Sequence, residues 1–93
     1  MKPQIPLGAA AVTPGEILVE EFLEPMGLTQ RELARRAQVS AMRINDIVRG
    51  KRAITADTAL KLADVLGTSA RFWMNLQANY DLAMAALAQR KAA

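Results

Sequence analysis

The sequence predicts an all-α domain of five helices with an extended last helix. Serine or threonine repeatedly precedes a segment whose apolar residues recur every three to four positions, and glycines follow several of these segments. No convincing strand pattern or internal repeat occurs. A chain of 93 residues suits one compact domain with a single core. We expect residues 13–93 to form that domain and residues 1–12, which contain two prolines, to form a flexible N-terminal arm.

The first predicted helix runs from Pro14 to about Glu24. Proline suits the first turn of a helix, because its missing N–H has no partner there in any case. Glutamates recur every four residues opposite apolar side chains, as expected for a helix with one buried face. Pro25 and Gly27 are predicted to end this helix.

The next two predicted helices occupy residues 29–50 and are joined by a tight turn, which is the spacing of a DNA-binding helix-turn-helix. Thr29 and Glu32, three residues apart, form a capping-box pattern at the start of the first helix. Ser40 can cap the second helix, and Gly50 stands where a left-handed C-terminal cap is expected.

The last two predicted helices follow the same signals. Thr55 begins the fourth helix, whose apolar stripe stops at Gly67. Ser69 can cap a fifth helix that extends towards Arg90 and is up to about 30 Å long. Because the core of so small a domain cannot cover a helix of this length, we expect the C-terminal half of the fifth helix to fray or to contact a partner.

Apolar side chains at helical spacing on the last helix have two interpretations. Packing in the core is preferred for Trp73, since aromatic residues dominate small cores. For the others, self-association or contact with another protein is weighed equally with core packing. The candidates for a dimer or partner interface are Trp73, Tyr80, Met84 and Leu87.

Basic residues are concentrated in the central motif. Residues 29–52 contain seven basic and two acidic side chains, a net charge of +5, whereas the rest of the chain has five basic and seven acidic ones, a net charge of −2. Such a patch favours a polyanion as partner. The alternative is the solvated surface of two amphipathic helices.

The second motif helix is expected to enter the major groove of DNA with its N-terminal residues towards the base edges. Arg43 can donate two hydrogen bonds to guanine and Asn45 can pair with adenine, with phosphate contact as the alternative for both. The base-edge candidates are Ser40, Ala41, Met42, Arg43, Asn45 and Asp46.

Asp46 is unusual on a surface that approaches an anion. It can accept a hydrogen bond from cytosine or orient Arg43 or Arg49, and orientation is preferred. Other polar residues are suited to contact phosphates or to brace a recognition side chain. These candidates are Gln30, Arg49, Lys51 and Arg52. Because one such module makes few base contacts, we expect a homodimer on a palindromic operator, joined through the end of the fourth helix and the last helix or through the N-terminal arm.

The composition argues against an enzyme. Without histidine or cysteine, His-based triads, the usual zinc clusters and disulfides are excluded. The glutamates of the first helix are more typical of a solvated face than of a metal site, and no Gly-rich phosphate loop occurs. We therefore expect no catalytic activity, cofactor, metal or small-molecule substrate. The cytoplasm is the default compartment, and no apolar run is long enough to span a membrane.

Three segments carry a resemblance to a known family: TPGEILVEEFLEPMGLTQ at 13–30, RINDIVRGKRAITADTALKLA at 43–63 and GTSARFWMNLQANYDL at 67–82. They resemble the HigA-type antitoxins, a branch of the xenobiotic-response-element, phage-repressor-like helix-turn-helix proteins. The resemblance covers about three quarters of the chain. It implies a lambda-repressor-like fold and an antitoxin that binds a ribosome-dependent mRNA-cleaving toxin, HigB, and represses the operon encoding both.

Two alternatives share this sequence pattern. One is a solitary transcriptional regulator without a cognate toxin, and the other is a toxin-binding module that has lost DNA binding. Family members often carry other small or polar residues where Ala41 and Met42 stand, so the resemblance implies no particular operator sequence.

Overall fold

A computed structural model describes residues 12–92 of the chain. Within this range the chain forms five helices and no strand, which confirms the predicted all-α fold. The predicted flexible arm at residues 1–12 lies outside the described residues, apart from Val12, which is exposed.

The first helix, termed α1, is one continuous rod with three segments. An α-helical turn at Pro14–Ile17 leads into a π-helical segment at Leu18–Leu23 and a final turn at Glu24–Met26. The prediction that Pro25 helps to end the helix is wrong, since the helix passes through it and ends at Gly27, whose φ is 63°. Proline lacks an N–H and crowds the carbonyl four residues before it. The wider π-helical segment immediately before Pro25 provides room for the ring.

The helix-turn-helix consists of α2, Gln30–Ala37, and α3, Ala41–Val48. The capping box predicted for α2 is present, with Thr29 N–H donating to Glu32 Oε1 at 2.9 Å and Glu32 N–H donating to Thr29 Oγ1 at 3.0 Å. Ser40 Oγ accepts from Arg43 N–H at 3.0 Å, which confirms the cap of α3. Together these caps satisfy N–H groups that have no partner within their own helix.

Two further helices complete the fold, α4 at Ala56–Leu66 and α5 at Ala70–Ala92. Thr55 caps α4, which ends at Gly67 with a φ of 76°, as predicted. Ser69 Oγ accepts from Phe72 N–H at 3.0 Å in the first turn of α5. With 23 residues, α5 is about 35 Å long and continues slightly beyond the predicted end near Arg90.

The core collects apolar side chains from all five helices. Its largest member is Trp73, which has no exposed surface and packs against Phe22 and Phe72 with ring centroids 5.3 and 5.0 Å away. The indole Nε1–H donates to Thr68 Oγ1 at 2.7 Å. This confirms the core role for Trp73. Because Trp73 is fully buried, its side chain has no exposed surface with which to contact a partner.

The backbone of α1 packs closely against the backbone of α3. A Cβ added at Gly15 would collide with the carbonyl oxygen of Ile47 and lie 2.8 Å from the Cα of Val48. Only glycine therefore allows the first turn of α1 to lie this close to the backbone of α3. Ile44 and Ile47, both buried, fix the rotation of α3 about its axis, so the opposite side of the helix faces solvent.

Candidate nucleic-acid interface

The N-terminal turn of α3 presents the first of the predicted base-edge residues to solvent. Ser40, Ala41 and Met42 are all exposed, and the Met42 side chain is 70% accessible. An apolar side chain this exposed is not held there by packing in the fold. Its position suits apolar contact with a base edge, such as the methyl group of thymine.

Asn45 is linked to the neighbouring helix of the motif. Its Nδ2 donates to Gln30 Oε1 at 3.1 Å, in a partly buried contact between α3 and the first residue of α2. Of the two roles predicted for Gln30, this geometry supports bracing a recognition side chain. The hydrogen bond uses one of the two Asn45 N–H groups, so the other N–H and the amide oxygen can still form the two-point contact that adenine requires.

Arg43 is held by an acidic residue outside the motif. Its Nη1 lies 3.4 Å from Asp57 Oδ2, in the first turn of α4, and Lys61 Nζ lies 3.5 Å from the same oxygen. Sequence reasoning missed this partner because Asp57 lies on another helix. The only sequence signal at Asp57 was its position in the first turn of a helix, where the helix dipole stabilises a negative charge. That position accounts for an acidic residue without any contact with Arg43.

Asp46 forms an ion pair with an arginine that is neither of the two named in the prediction. Its Oδ2 lies 3.5 Å from Arg52 Nη2. The reason is the turn at Gly50, which has a φ of 74° and reverses the chain so that Lys51 N–H donates to the Asp46 carbonyl oxygen at 2.8 Å. Arg52, two residues after this turn, lies within ion-pair distance of Asp46, and Arg49, Lys51 and Arg52 all remain exposed.

The capping box of α2 also has an electrostatic consequence. The hydrogen bond from the Thr29 backbone N–H lowers the pKa of Glu32 below its ordinary value of 4.5, with smaller contributions from the Thr29 hydroxyl and from Arg36 and Arg35. The Glu32 carboxylate lies in the first turn of α2, where the positive end of the helix dipole also stabilises its charge.

On α5, the predicted interface candidates other than Trp73 retain accessible surface. Tyr80 and Leu87 are half-buried, and Met84 is 43% exposed. One turn before Tyr80, the buried Gln77 accepts a hydrogen bond at Oε1 from Ile54 N–H at 2.8 Å. The only sequence signal for this contact was that Gln77 is a polar residue on an apolar face of the helix. That signal did not indicate Ile54 as the partner.

Comparison with known proteins adds independent information to this geometry. A family model described as a helix-turn-helix matches residues 19–73, more than half of the chain. Antitoxin HigA-1 of Vibrio cholerae is 42% identical over 71 residues, covering 76% of this chain and 67% of that protein. The solved structure of Pseudomonas aeruginosa antitoxin HigA with the higBA promoter matches with a TM-score of 0.84 and 49% identity, covering 88% of this chain and 89% of that one. The chain belongs to the HigA-type antitoxins.

Membership in the HigA-type antitoxins places this chain among helix-turn-helix DNA-binding proteins, a family that is not enzymatic. Virulence-associated protein I of Dichelobacter nodosus is a further relative, 56% identical over 75 residues, which are 81% of this chain and 69% of that protein. Across the first curated relatives, the matched part spans between 62% and 69% of their length.

Two other features are absent from the described residues: a cluster of metal ligands and a helix that could span a membrane. Between residues 12 and 92, no group of three acidic side chains lies together in a way that could hold a metal ion. Over the same range, none of the helices combines the length and apolar character needed to cross a membrane.

Proposed function

We propose that this HigA-type protein binds a palindromic operator as a homodimer, represses its own toxin–antitoxin operon, and neutralises a HigB-type mRNA-cleaving toxin by direct binding. The observation that carries the proposal is the basic helix-turn-helix motif at residues 29–52. It combines a net charge of +5 with a capped helix whose exposed N-terminal turn has no role in the core. The related antitoxin HigA of Pseudomonas aeruginosa was solved with the higBA promoter, which supports DNA binding as the use of this motif.

In the proposed complex, α3 lies in the major groove with Met42, Arg43 and Asn45 towards the bases. Arg49 and Lys51 are exposed at the end of α3 and contact phosphates, which fixes the register of the helix. A single module offers only a few base contacts, so two copies on half-sites about 34–36 Å apart supply the specificity.

Fluorescence-anisotropy titration tests the DNA-binding part of the proposal. The probe is DNA upstream of the protein's own gene, with scrambled DNA as competitor at near-physiological salt. We expect saturable binding that resists the competitor and weakens steeply with added salt. Arg43→Ala and Asn45→Ala should each weaken specific binding by about tenfold or more without abolishing it, whereas Arg90→Ala, which removes an exposed basic residue outside the motif, should leave it unchanged. Equal binding to scrambled DNA would refute an operator at this position.

The toxin-binding part requires a separate experiment. Co-expression with the neighbouring open reading frame, followed by co-purification and an mRNA-cleavage assay, should give a complex in which cleavage is suppressed. Met84→Asp introduces a charge on the accessible side of α5 and tests whether this surface takes part in dimer or toxin contact. Operator binding without any toxin complex would favour the solitary regulator. A toxin complex without operator binding would favour a module that only neutralises the toxin.

A further inference from the structure

Asp57 places a carboxylate at the edge of a surface that otherwise attracts a polyanion. Its Oδ2 lies 3.4 Å from Arg43 Nη1 and 3.5 Å from Lys61 Nζ. The side chains of Arg43 and Asp57 are 34% and 63% exposed, and ion pairs this open contribute little to stability. Thr55 already caps the helix that Asp57 belongs to. Asp57 also lies in the first turn of α4, where the helix dipole stabilises its charge, but this role does not require a contact with Arg43.

The geometry leaves Arg43 able to read a base while it is held. A guanidinium carries five N–H donors in a planar fork. The contact with Asp57 uses Nη1, so the edge formed by Nε and Nη2 remains available for a two-point contact. An arginine without such a restraint would instead bind the nearest phosphate oxygen, and phosphates are present in DNA of any sequence.

We propose that Asp57 is a positioning residue for operator recognition, which holds the Arg43 guanidinium beside the N-terminal turn of α3 and away from phosphates. This inference rests on the operator binding proposed above and deepens it. Asp57 lowers affinity for all DNA by charge repulsion, and it raises discrimination because Arg43 contributes mainly when the correct base is present. Specific and non-specific binding therefore respond to its loss in opposite directions.

The test is Asp57→Asn, compared with Asp64→Asn as a matched control. Asp64 is an exposed carboxylate on the same helix and has no ion pair within residues 12–92, so its substitution removes the same charge without releasing Arg43. Anisotropy titrations on operator DNA and on scrambled DNA give the two affinities and their ratio for each protein. Thermal unfolding monitored by Trp73 fluorescence confirms that each variant is folded.

For Asp57→Asn we expect affinity for scrambled DNA to rise about threefold, as a like charge is removed from the interface. The slope of log affinity against log salt on scrambled DNA should steepen by up to about one unit, since Arg43 then neutralises a phosphate. The preference for operator over scrambled DNA should fall about tenfold, within the range of one arginine–guanine contact. Asp64→Asn should leave the preference unchanged within about twofold.

Two further variants separate positioning from simple loss of charge. In an Arg43→Ala background, Asp57→Asn should no longer change the preference for operator, because there is no guanidinium to position. Asp57→Glu should restore part of the preference, since it keeps the charge near Arg43. Equal effects of Asp57→Asn and Asp64→Asn, or an unchanged effect without Arg43, would overturn the inference while leaving operator binding intact. A wild-type protein without any preference for operator DNA would instead refute the proposed function.

Discussion

The hydrogen bonds of Gln77 give the sharpest prediction for stability. Gln77 is buried on α5, its Oε1 accepts from Ile54 N–H at 2.8 Å, and its Nε2 donates to Asp81 Oδ1 at 2.9 Å. Ile54 is itself 2% exposed, so water does not replace a lost acceptor. Gln77→Met keeps a similar volume but offers no comparable acceptor. The two hydrogen bonds are therefore removed with little change in packing.

The expected cost follows from these two contacts. A buried N–H without an acceptor costs about 1–3 kcal/mol. Loss of the contact with Asp81, one turn along the helix and largely exposed, adds about 0.2–0.5 kcal/mol. The free energy of unfolding should therefore fall by about 2 kcal/mol, which lowers Tm by about 8–16 °C in a domain of this size.

Urea denaturation monitored by fluorescence measures this change, because Trp73 is the single tryptophan and is fully buried. Asp81→Ala is the matched control: it removes only the outer hydrogen bond and should cost about 0.5 kcal/mol or less. Amide hydrogen exchange provides a local readout, since the Ile54 N–H should lose protection in Gln77→Met and keep it in Asp81→Ala. Equal stabilities of the two variants, with unchanged exchange at Ile54, would refute the argument.

Three other substitutions test separate features. Gly15→Ala should lower the free energy of unfolding by about 1–3 kcal/mol through overpacking, and it should also weaken operator binding. Gly27→Ala, at a φ of 63° with open space around it, should lower the free energy of unfolding by about 1 kcal/mol through backbone strain alone. Urea midpoints and anisotropy titrations distinguish the two variants. Because the pKa of Glu32 is lowered in the folded state, the stabilisation from its charge is present above pH 4.5 and is lost as pH falls through the folded pKa. The stability difference between wild type and Glu32→Gln should therefore shrink in acid, and a constant difference between pH 7 and 3 would contradict the role of the Thr29 hydrogen bond. Met42→Ala should weaken operator binding about fourfold, and this loss should disappear on an operator whose thymines are replaced by deoxyuridine; a loss that persists there would exclude contact with a thymine methyl group.

Local signals in the sequence were sufficient to predict the order and type of the helices. Thr29, Ser40 and Thr55 each act on N–H groups a few residues away, so the caps and the helix starts could be predicted from neighbouring residues alone. Gly67 ends its helix for a similarly local reason. The fold class therefore followed from residue types and spacing.

Features that depend on several interactions at once were not predicted. Pro25 was expected to end α1, but a π-helical segment accommodates it. The turn of the motif passes through Gln38 with a φ of 58°, a conformation that its residue type does not indicate. The partner of Arg43 was missed because Asp57 lies on α4. The partner of Asp46 was misassigned because Arg52 lies in the loop after α3. Candidate residues could thus be found by sequence, but their pairing required the packing of the helices.

The close approach at Gly15 limits how DNA binding can be regulated in this protein. Contact between the first turn of α1 and the backbone at Ile47 and Val48 leaves no space for α3 to slide or rotate on its own. Close packing of two backbones transmits a displacement of one helix to the other. In the proposed homodimer, a bound partner that alters operator affinity is therefore expected to change the distance or angle between the two copies, or to block the DNA-binding surface of one copy. If the protein binds DNA as the proposed homodimer, the spacing of the two recognition surfaces, rather than the shape of either copy, is the quantity that such a partner would adjust.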